Sequence, residues 1–457
     1  MTPRVVIAGL SGDAGKTLVA VGLAASLRKR GLTVAPYKKG PDYIDAAWLA
    51  VAAGRPGRNL DTFLMPPAAL GDSLARAGAV DVILVEGNRG LHDGSDAQGT
   101  HSTAALAKQL EAPVVLVVDA TKATRTLAAC VRGCAVIDPD LLLAGVILNR
   151  VASTRHERVI REAFAALGGP PVLGALPKLG DDPLPSRHLG LVTAVEHGAS
   201  GRAIERAAAT VTAHVDVEAV LAVARRARPA TFPARAPREA PNGRGVRVGI
   251  LRDEAFSFYY PENLEALAEA GAEVIDVSPL RSPSLPDVDA LYIGGGFPEV
   301  HAAALSANGG FLRSVRAAVD GGLPVYAECG GLMYLARELR VAGHAHSMAG
   351  VLDLAVEQTS RPQGHGYVEA VVDAPNAFFP VGARLRGHEF HYSRPVGGTT
   401  PGALRLERGT GLGGGRDGGV RGRVWASYLH LHALGTPSWA PGLVAAARGE
   451  RPHAEGA

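Results

Sequence analysis

Cysteine, aromatic residues and unbalanced charge are all scarce in this chain of 457 residues. Three cysteines, Cys130, Cys134 and Cys329, are too few for a disulfide framework. A net charge of +3, with acids and bases mixed along the chain, gives no basic stripe, so nucleic acid is not an expected partner. No apolar run approaches the roughly 20 residues needed to span a bilayer, and no membrane association is expected. Met1, Thr2, Pro3 and Arg4 lead straight into a strand-like run, so no signal peptide is expected either. No short-period repeat is present. These absences leave a soluble, cytoplasmic protein. Hydrophobic residues still make up 47%, so large cores can form, and the length points to two or three domains.

Short β-rich runs alternate with alanine-rich helical patterns in the first half. Strands are predicted at Arg4–Ala8, Thr33–Tyr37, Val82–Val85, Val114–Val118 and Gly145–Leu148, with helices at Thr17–Arg30 and Ser102–Leu110. Their unbroken apolar character predicts strands covered on both faces of a mostly parallel sheet. Prolines at 229, 233, 237 and 241 mark residues 226–245 as an extended linker between a domain at 1–225 and another at 246–440. Alternation then resumes with strands Arg247–Leu251, Ala290–Ile293 and Val325–Ala327 and a helix at Pro261–Ala270. Residues 449–457 are polar and expected to fray. The expected class is α/β, as two domains in tandem.

"GLSGDAGKT", Gly9 to Thr17, follows the first strand and opens the first helix. That is the setting of a phosphate-binding loop, in which backbone N–H groups and a helix N-terminus face phosphate oxygens. The usual first glycine falls at position 10, where this chain has Leu10; the glycine is Gly9 instead. The displacement keeps Gly12 and Gly15 in the turn, Lys16 for the β and γ phosphates of ATP, and Thr17 to ligate Mg²⁺. The five residues between the two glycines are as in dethiobiotin synthetase-like enzymes. Partition-type ATPases place an additional lysine where Ser11 stands, which argues against that group.

Two further loops carry charge at successive strand ends. "YKKGPDYIDAAW" supplies Lys38, Lys39, Asp42 and Asp45, and "VEGNRGLHDG" supplies Glu86, Arg89 and Asp93. In an open parallel sheet such segments converge on one edge, where carboxylates hold Mg²⁺ and lysines offset phosphoryl charge. Asn149, at the end of the fifth predicted strand, can read an adenine edge or form an Asx turn.

The second half carries a different chemistry. "PVYAECGGLMYL" places Cys329 on a sharp turn after a strand and before glycines, the layout of a nucleophile elbow with cysteine as nucleophile. The following helix N-terminus is expected to lower its thiol pKa. Gly295, within Gly294–Gly296, and Gly330 can offer backbone N–H groups as an oxyanion hole. "YLHLH" offers His430 and His432 as bases on a strand-like run, on which only one can face the thiol. Cys130 and Cys134, four apart in an Ala/Val context, are read as core.

Taken with "GGGFPE" and "GHEFHYS", these motifs resemble the cobyrinic acid a,c-diamide synthase family over nearly the whole chain. The resemblance implies a P-loop, dethiobiotin synthetase-like domain joined to a class I glutamine amidotransferase domain. It implies ATP and Mg²⁺ at Lys16 and Thr17, with Asp42 and Glu86 as further metal ligands. It places Lys39, Asp42, Asp45 and Asp93 in a synthetase site. It makes Cys329 and His430 a glutaminase dyad, because His432 occupies the place where ordinary class I enzymes have the third member, a glutamate. The implied partners are glutamine and a tetrapyrrole polycarboxylic acid, and the implied activity is ATP- and glutamine-dependent amidation of the a and c acetates in cobalamin biosynthesis. Ammonia from the thiol site would reach an acyl phosphate in the first domain without meeting bulk water. The third motif usually reads closer to "VEGVMGLYDG", so Asn88, Arg89 and His92 depart from it, and Arg89 can pair with a substrate carboxylate. The macrocycle stays open among cobyrinate, hydrogenobyrinate, a nickel sirohydrochlorin and sirohaem, and a homodimer is one assembly left open. Two competitors remain: a dethiobiotin-type ligase with an idle second domain, and a P-loop switch with an inactive amidotransferase fold.

Overall fold

A computed structural model describes residues 2–180, 184, 186–187, 190–191, 200–234 and 245–450. The chain divides into two compact units, Met1–Arg235 and Ala236–Ala457. Half of the proline-rich segment, 235–244, and the tail at 451–457 lie outside the described residues. The start of that segment packs on the first unit. The Arg228 N–H donates to the Glu111 carbonyl at 3.0 Å, and Phe232 lies where a Cβ on Gly71 would be, 2.5 Å away. The first unit therefore continues beyond residue 225.

Seven parallel strands form the first sheet: β1 (Arg4–Gly9), β2 (Val34–Lys39), β3 (Arg58–Leu60), β4 (Val82–Glu86), β5 (Val114–Asp119), β6 (Leu143–Val151) and β7 (Val172–Pro177). Their order is β3-β2-β4-β1-β5-β6-β7. β1 to β4 are buried at every position, which is why their sequences lack alternation. The strand order reverses at β1, so the loop after β1 opens at the switch point of the sheet. Helix α1 (Lys16–Lys29) is buried from Leu18 through Leu27 and carries no charge over that span. Helix α2 (Tyr43–Ala53) starts on the Asp42 carboxylate, which accepts from the N–H groups of Ile44 and Asp45, and stops at Gly54 in the left-handed region. A small antiparallel pair, β8 (Ser186–Arg187) and β9 (Gly190–Leu191), stands apart.

The second unit holds a nine-stranded mixed sheet. Its parallel half is β10 (Val246–Leu251), β11 (Ala272–Val277), β12 (Ala290–Ile293) and β13 (Val325–Glu328). A separate four-stranded sheet follows, built from β14 (Glu338–Val341), β15 (His344–Ser347), β16 (Leu354–Gln358) and β19 (Ser393–Gly398). The antiparallel half of the large sheet is β17 (Gly364–Val372), β18 (Arg384–His391), β20 (Gly402–Arg408), β21 (Arg416–Arg421) and β22 (Val424–Ser427). The order is β11-β10-β12-β13-β22-β21-β20-β17-β18, with β22 parallel to β13 and antiparallel to β21. An isolated antiparallel bridge between His388 and His430 ties edge strand β18 back to the chain leaving β22.

Cys130 and Cys134 are not core residues: Cys130 is exposed and Cys134 half-buried. Their helix, Arg125–Ile137, buries only Leu127, Ala128 and Val131, a narrower stripe than its Ala/Val content implies. Among the described residues, no helix is long and apolar enough to cross a membrane.

Candidate active sites

The first site begins at the end of β1. Lys16 folds back across Gly9: a Cβ there would lie 2.9 Å from the Lys16 Nζ and 2.7 Å from the Ser11 carbonyl. This explains why glycine is needed at position 9 and can be absent at 10. Gly15 sits at φ 95, and a Cβ on it would run into the Asn149 side-chain amide. Asn149 donates to the Ala14 carbonyl at 2.9 Å, so it braces the loop from β6, the second strand along from β1. A Cβ on Gly12 would meet nothing within 4 Å. Lys16 is mostly buried, and burial pulls its ammonium below the ordinary lysine range, with Lys38 adding to the effect.

Behind the loop lies a buried charge cluster. Glu86 is fully buried, and its Oε1 accepts from the Thr17 hydroxyl at 2.6 Å and from the Lys38 ammonium at 2.9 Å. Lys38 also meets Asp45 at 2.6 Å and donates to the Gly87 carbonyl at 3.1 Å. Burial opposes the charge on Lys38, but Asp45 and Glu86 outweigh it and push its pKa above the ordinary range. Burial, with the charge of Asp45, raises the Asp42 carboxyl to about 7. Lys39 pairs with Asp61 at 3.6 Å and is pulled down by burial. Arg89 is exposed at φ 50, and Asp93, also exposed, accepts from the Gly90 N–H at 2.8 Å.

The Glu86 Oε2 atom is buried with no hydrogen-bond partner. An orphaned carboxylate oxygen beside the Thr17 hydroxyl suits a hard cation. Among the described residues, no three His, Cys, Asp or Glu side chains converge on a metal position. The protein alone thus offers a partial coordination sphere, the pattern expected of Mg²⁺ held jointly with phosphates and water.

The second site lies at the end of β13. Cys329 adopts φ 48, ψ −97, a backbone conformation that few non-glycine residues enter, at the start of the helix Gly330–Leu335. Gly330 and Gly331 make the elbow possible. A Cβ on Gly331 would press 2.5 Å from the Ile293 carbonyl, and one on Gly330 would lie 3.1 Å from the Gly296 nitrogen. His430 faces this pocket, because a Cβ on Gly295 would sit 2.6 Å from its Cε1 and 3.4 Å from its Nε2. Cys329, Gly330, Gly295 and His430 are thus brought together.

Two expectations need correction here. The thiol is not lowered: burial pushes Cys329 up and Glu299 adds to this, while the Gly330 N–H pulls the other way. The helix that follows has only six residues, too short for a strong end dipole. Second, residues 428–432 are not a strand. The Tyr428 and Leu429 N–H groups donate to buried Asp417, and the Leu431 N–H donates to Glu328 at 3.0 Å. His432 turns instead to the Tyr260 ring at 4.6 Å and Glu262 at 3.7 Å. Glu328, on which the dyad reading is silent, brings its Oε2 to 3.6 Å from the His430 Nδ1.

Comparison with known proteins bears on both units. Residues 5–191 match the CobQ/CobB/MinD/ParA nucleotide binding domain, and residues 247–438 match the CobB/CobQ-like glutamine amidotransferase domain. The chain is 43% identical to the cobyrinate a,c-diamide synthase of Magnetococcus marinus over 449 residues, 96% of each chain. The chain belongs to the cobyrinate a,c-diamide synthase family. A second relative of that name, from Syntrophotalea carbinolica, is 43% identical over 98% of this chain and 99% of its own. The hydrogenobyrinate a,c-diamide synthase of Streptomyces coelicolor is 42% identical over 95% of each.

As a member of the cobyrinate a,c-diamide synthase family, this protein is a glutamine-dependent, amide-forming ligase with a nucleotide-binding first unit. The family likeness spans both units, which disfavours an idle second domain and a non-enzymatic switch. Several residues of the sites escape sequence reasoning. Lys38 is visible in "KKGPDYID", yet nothing in the string says that it, rather than Lys39, binds Asp45 and Glu86. Glu328 stands in plain view before Cys329, but only the elbow geometry turns it towards His430. Gly387 of "GHEFHYS" has a steric reason, because a Cβ there would collide with the His430 carbonyl.

Proposed function

We propose that the protein amidates the a and c acetate side chains of cobyrinate, using ATP to activate each carboxylate and glutamine to supply nitrogen. One observation carries this reading: a phosphate loop with its acidic cluster and a cysteine–histidine pocket stand on one chain that matches cobyrinate a,c-diamide synthases over nearly its full length. The hydrogenobyrinate relative is almost as similar, which supports a metal-free corrin ring as a second reading of the same chemistry.

In the second unit, glutamine binds with its amide carbonyl against the Gly295 and Gly330 N–H groups. Because burial keeps the thiol protonated, His430 takes the Cys329 proton as sulfur adds to the carbonyl carbon. The same imidazolium returns that proton to the departing nitrogen. Ammonia leaves, and water releases glutamate from the thioester. In the first unit, Gly12, Gly15 and the start of α1 cradle the phosphates of ATP, Lys16 steadies the γ-phosphoryl group, and Asn149 holds the loop from behind.

Thr17 and Glu86, with Asp42 beside them, would hold Mg²⁺, which supplies charge neutralisation for the triphosphate. Lys39, Asp45 and Asp93 shape the synthetase pocket, and exposed Arg89 pairs with a corrin carboxylate. An acetate oxygen displaces ADP from the γ-phosphorus, forming an acyl phosphate. Ammonia then attacks the acyl carbon, phosphate departs, and the amide remains. Phosphoryl transfer turns a poor leaving group into a good one.

The test uses the full chain with ATP, glutamine and a panel of corrinoid and sirohydrochlorin acids, with product masses read. Cobyrinate should shift by about one mass unit per carboxylate converted, twice. Cys329→Ser should abolish glutamine-dependent turnover and keep synthesis from ammonium salts. Loss of both, or turnover of sirohaem alone, refutes the assignment.

A further inference from the structure

The glutaminase pocket contains a buried carboxylate that its two expected members do not use. Glu328 immediately precedes Cys329 and is fully buried. Three donors fix its orientation. The Leu431 N–H and the Tyr326 hydroxyl reach Oε1 at 3.0 and 3.2 Å, and the Tyr292 hydroxyl reaches Oε2 at 3.1 Å. The remaining direction at Oε2 faces the His430 Nδ1 at 3.6 Å. The opposite edge of that imidazole, Cε1 and Nε2, faces Gly295. The ring is therefore held between an acid on its Nδ1 side and the substrate pocket on its Nε2 side.

We propose that Glu328 is the positioning residue of the glutaminase centre: it holds His430 with the proton on Nδ1 and the lone pair of Nε2 directed at the thiol, and it offsets the charge of the imidazolium formed on proton transfer. The inference rests on the glutaminase reading above. Hydrogen bonds of this kind are often long before substrate binds and close when it does. Glu328 stands in for the acid that other class I enzymes carry two residues beyond the histidine, where this chain has His432. His432 cannot serve, because it lies against Tyr260 and Glu262.

Other titratable groups around the ring do not replace the acid. His388 stacks on His430 at 4.8 Å, and burial drives its imidazole well below the ordinary range, leaving it neutral. Tyr260 lies beyond His388, its hydroxyl 3.4 Å from the His388 Nδ1.

Glu328→Gln isolates the role. The Leu431 N–H can only donate, so it pins the amide oxygen at the Oε1 position and leaves the amide NH₂ facing Nδ1. That group seeks an acceptor and favours the wrong tautomer, with the Nε2 lone pair lost. The kcat for glutamine hydrolysis should fall roughly 10²–10⁴-fold while KM changes less than about threefold. A fall below about threefold in kcat, or a KM that rises as far as kcat falls, overturns the proposal.

Nitrogen-15 spectra of the unaltered protein, with the His430 signals assigned from His430→Asn, test it without relying on the folding of Glu328→Gln. They should show Nδ1 protonated and Nε2 bare; the reverse tautomer overturns the proposal. Cys329→Ser separates the two levels of argument. If it leaves glutamine hydrolysis intact, the glutaminase reading itself fails. If it abolishes hydrolysis while Glu328→Gln does not impair it, only the role of Glu328 fails.

Discussion

Replacing Lys38 by Met would strand two carboxylates in the first unit. The thioether keeps most of the lysine stem's volume, so the change removes mainly the ammonium. In the native arrangement that ammonium lies 2.6 Å from Asp45 and 2.9 Å from Glu86, with a third bond to the Gly87 carbonyl. Breaking a buried ion pair by removing one partner is destabilising by roughly 3–5 kcal/mol, because the other charge stays buried without compensation. The Asp45 side chain is 16% exposed and can draw some water, which favours the lower end. For a unit of this size, each kcal/mol lowers Tm by about 2–4 °C, so a fall of about 6–12 °C is expected near that end.

Calorimetry on the full chain would measure it. Added Mg²⁺ should restore more stability to the variant than to the parent, since a cation at Glu86 replaces the missing charge. Asp45→Asn placed on the Lys38→Met background should recover part of the loss, because it neutralises one stranded acid. A Tm within about 2 °C of the parent, or a double variant that loses the full sum, would refute the view that Lys38 acts through charge.

Two further outcomes follow from the second unit. Gly387→Ala drives a Cβ into the His430 carbonyl and should displace the base, lowering glutamine hydrolysis by at least about 10²-fold; a turnover near the parent value counts against His430 as the base. Burial raises the Cys329 thiol above its ordinary value of 9.0, so the resting group is protonated at neutral pH and reactive thiolate appears only as pH rises. Alkylation of Cys329 by iodoacetamide, read peptide by peptide to separate it from exposed Cys130, should still be climbing at pH 9; a plateau at or below pH 8 would show a thiolate already formed.

The parallel sheet of the first unit was legible because buried strands declare themselves as unbroken apolar runs between glycine-rich turns. β3 escaped because Arg58, Asn59 and Leu60 make too short and too polar a run to register. The antiparallel half of the second unit escaped for another reason. β17 and β18 are buried mainly on one face, and they carry glycine, histidine and arginine at positions where strand formers are usual. Lys16, Thr17 and Cys329 could be picked out as candidates by spacing, whereas the choice of His430 over His432 came from the family resemblance. The partners at both sites could not be picked out: Lys38 against Glu86, Asn149 against Gly15 and Glu328 against His430 join segments 48, 134 and 102 positions apart in the chain. The effect of burial on the Cys329 thiol was equally hidden, since a sequence shows the helix that follows and not the depth at which the sulfur sits.

The clasp between His388 and His430 has a consequence for how this unit can vary. Two backbone hydrogen bonds, 3.2 and 2.8 Å long, fasten the outermost strand to the segment just past β22, so the antiparallel strands close into a loop of sheet with the imidazole mounted at its seam. The circumference of that loop sets where the seam falls. Lengthening a hairpin tip leaves the circumference unchanged, whereas adding or losing a strand between β22 and β18 would carry the imidazole away from the sulfur. The half of the unit that looks like decoration around a parallel core is therefore the gauge that keeps its two reactive atoms in register.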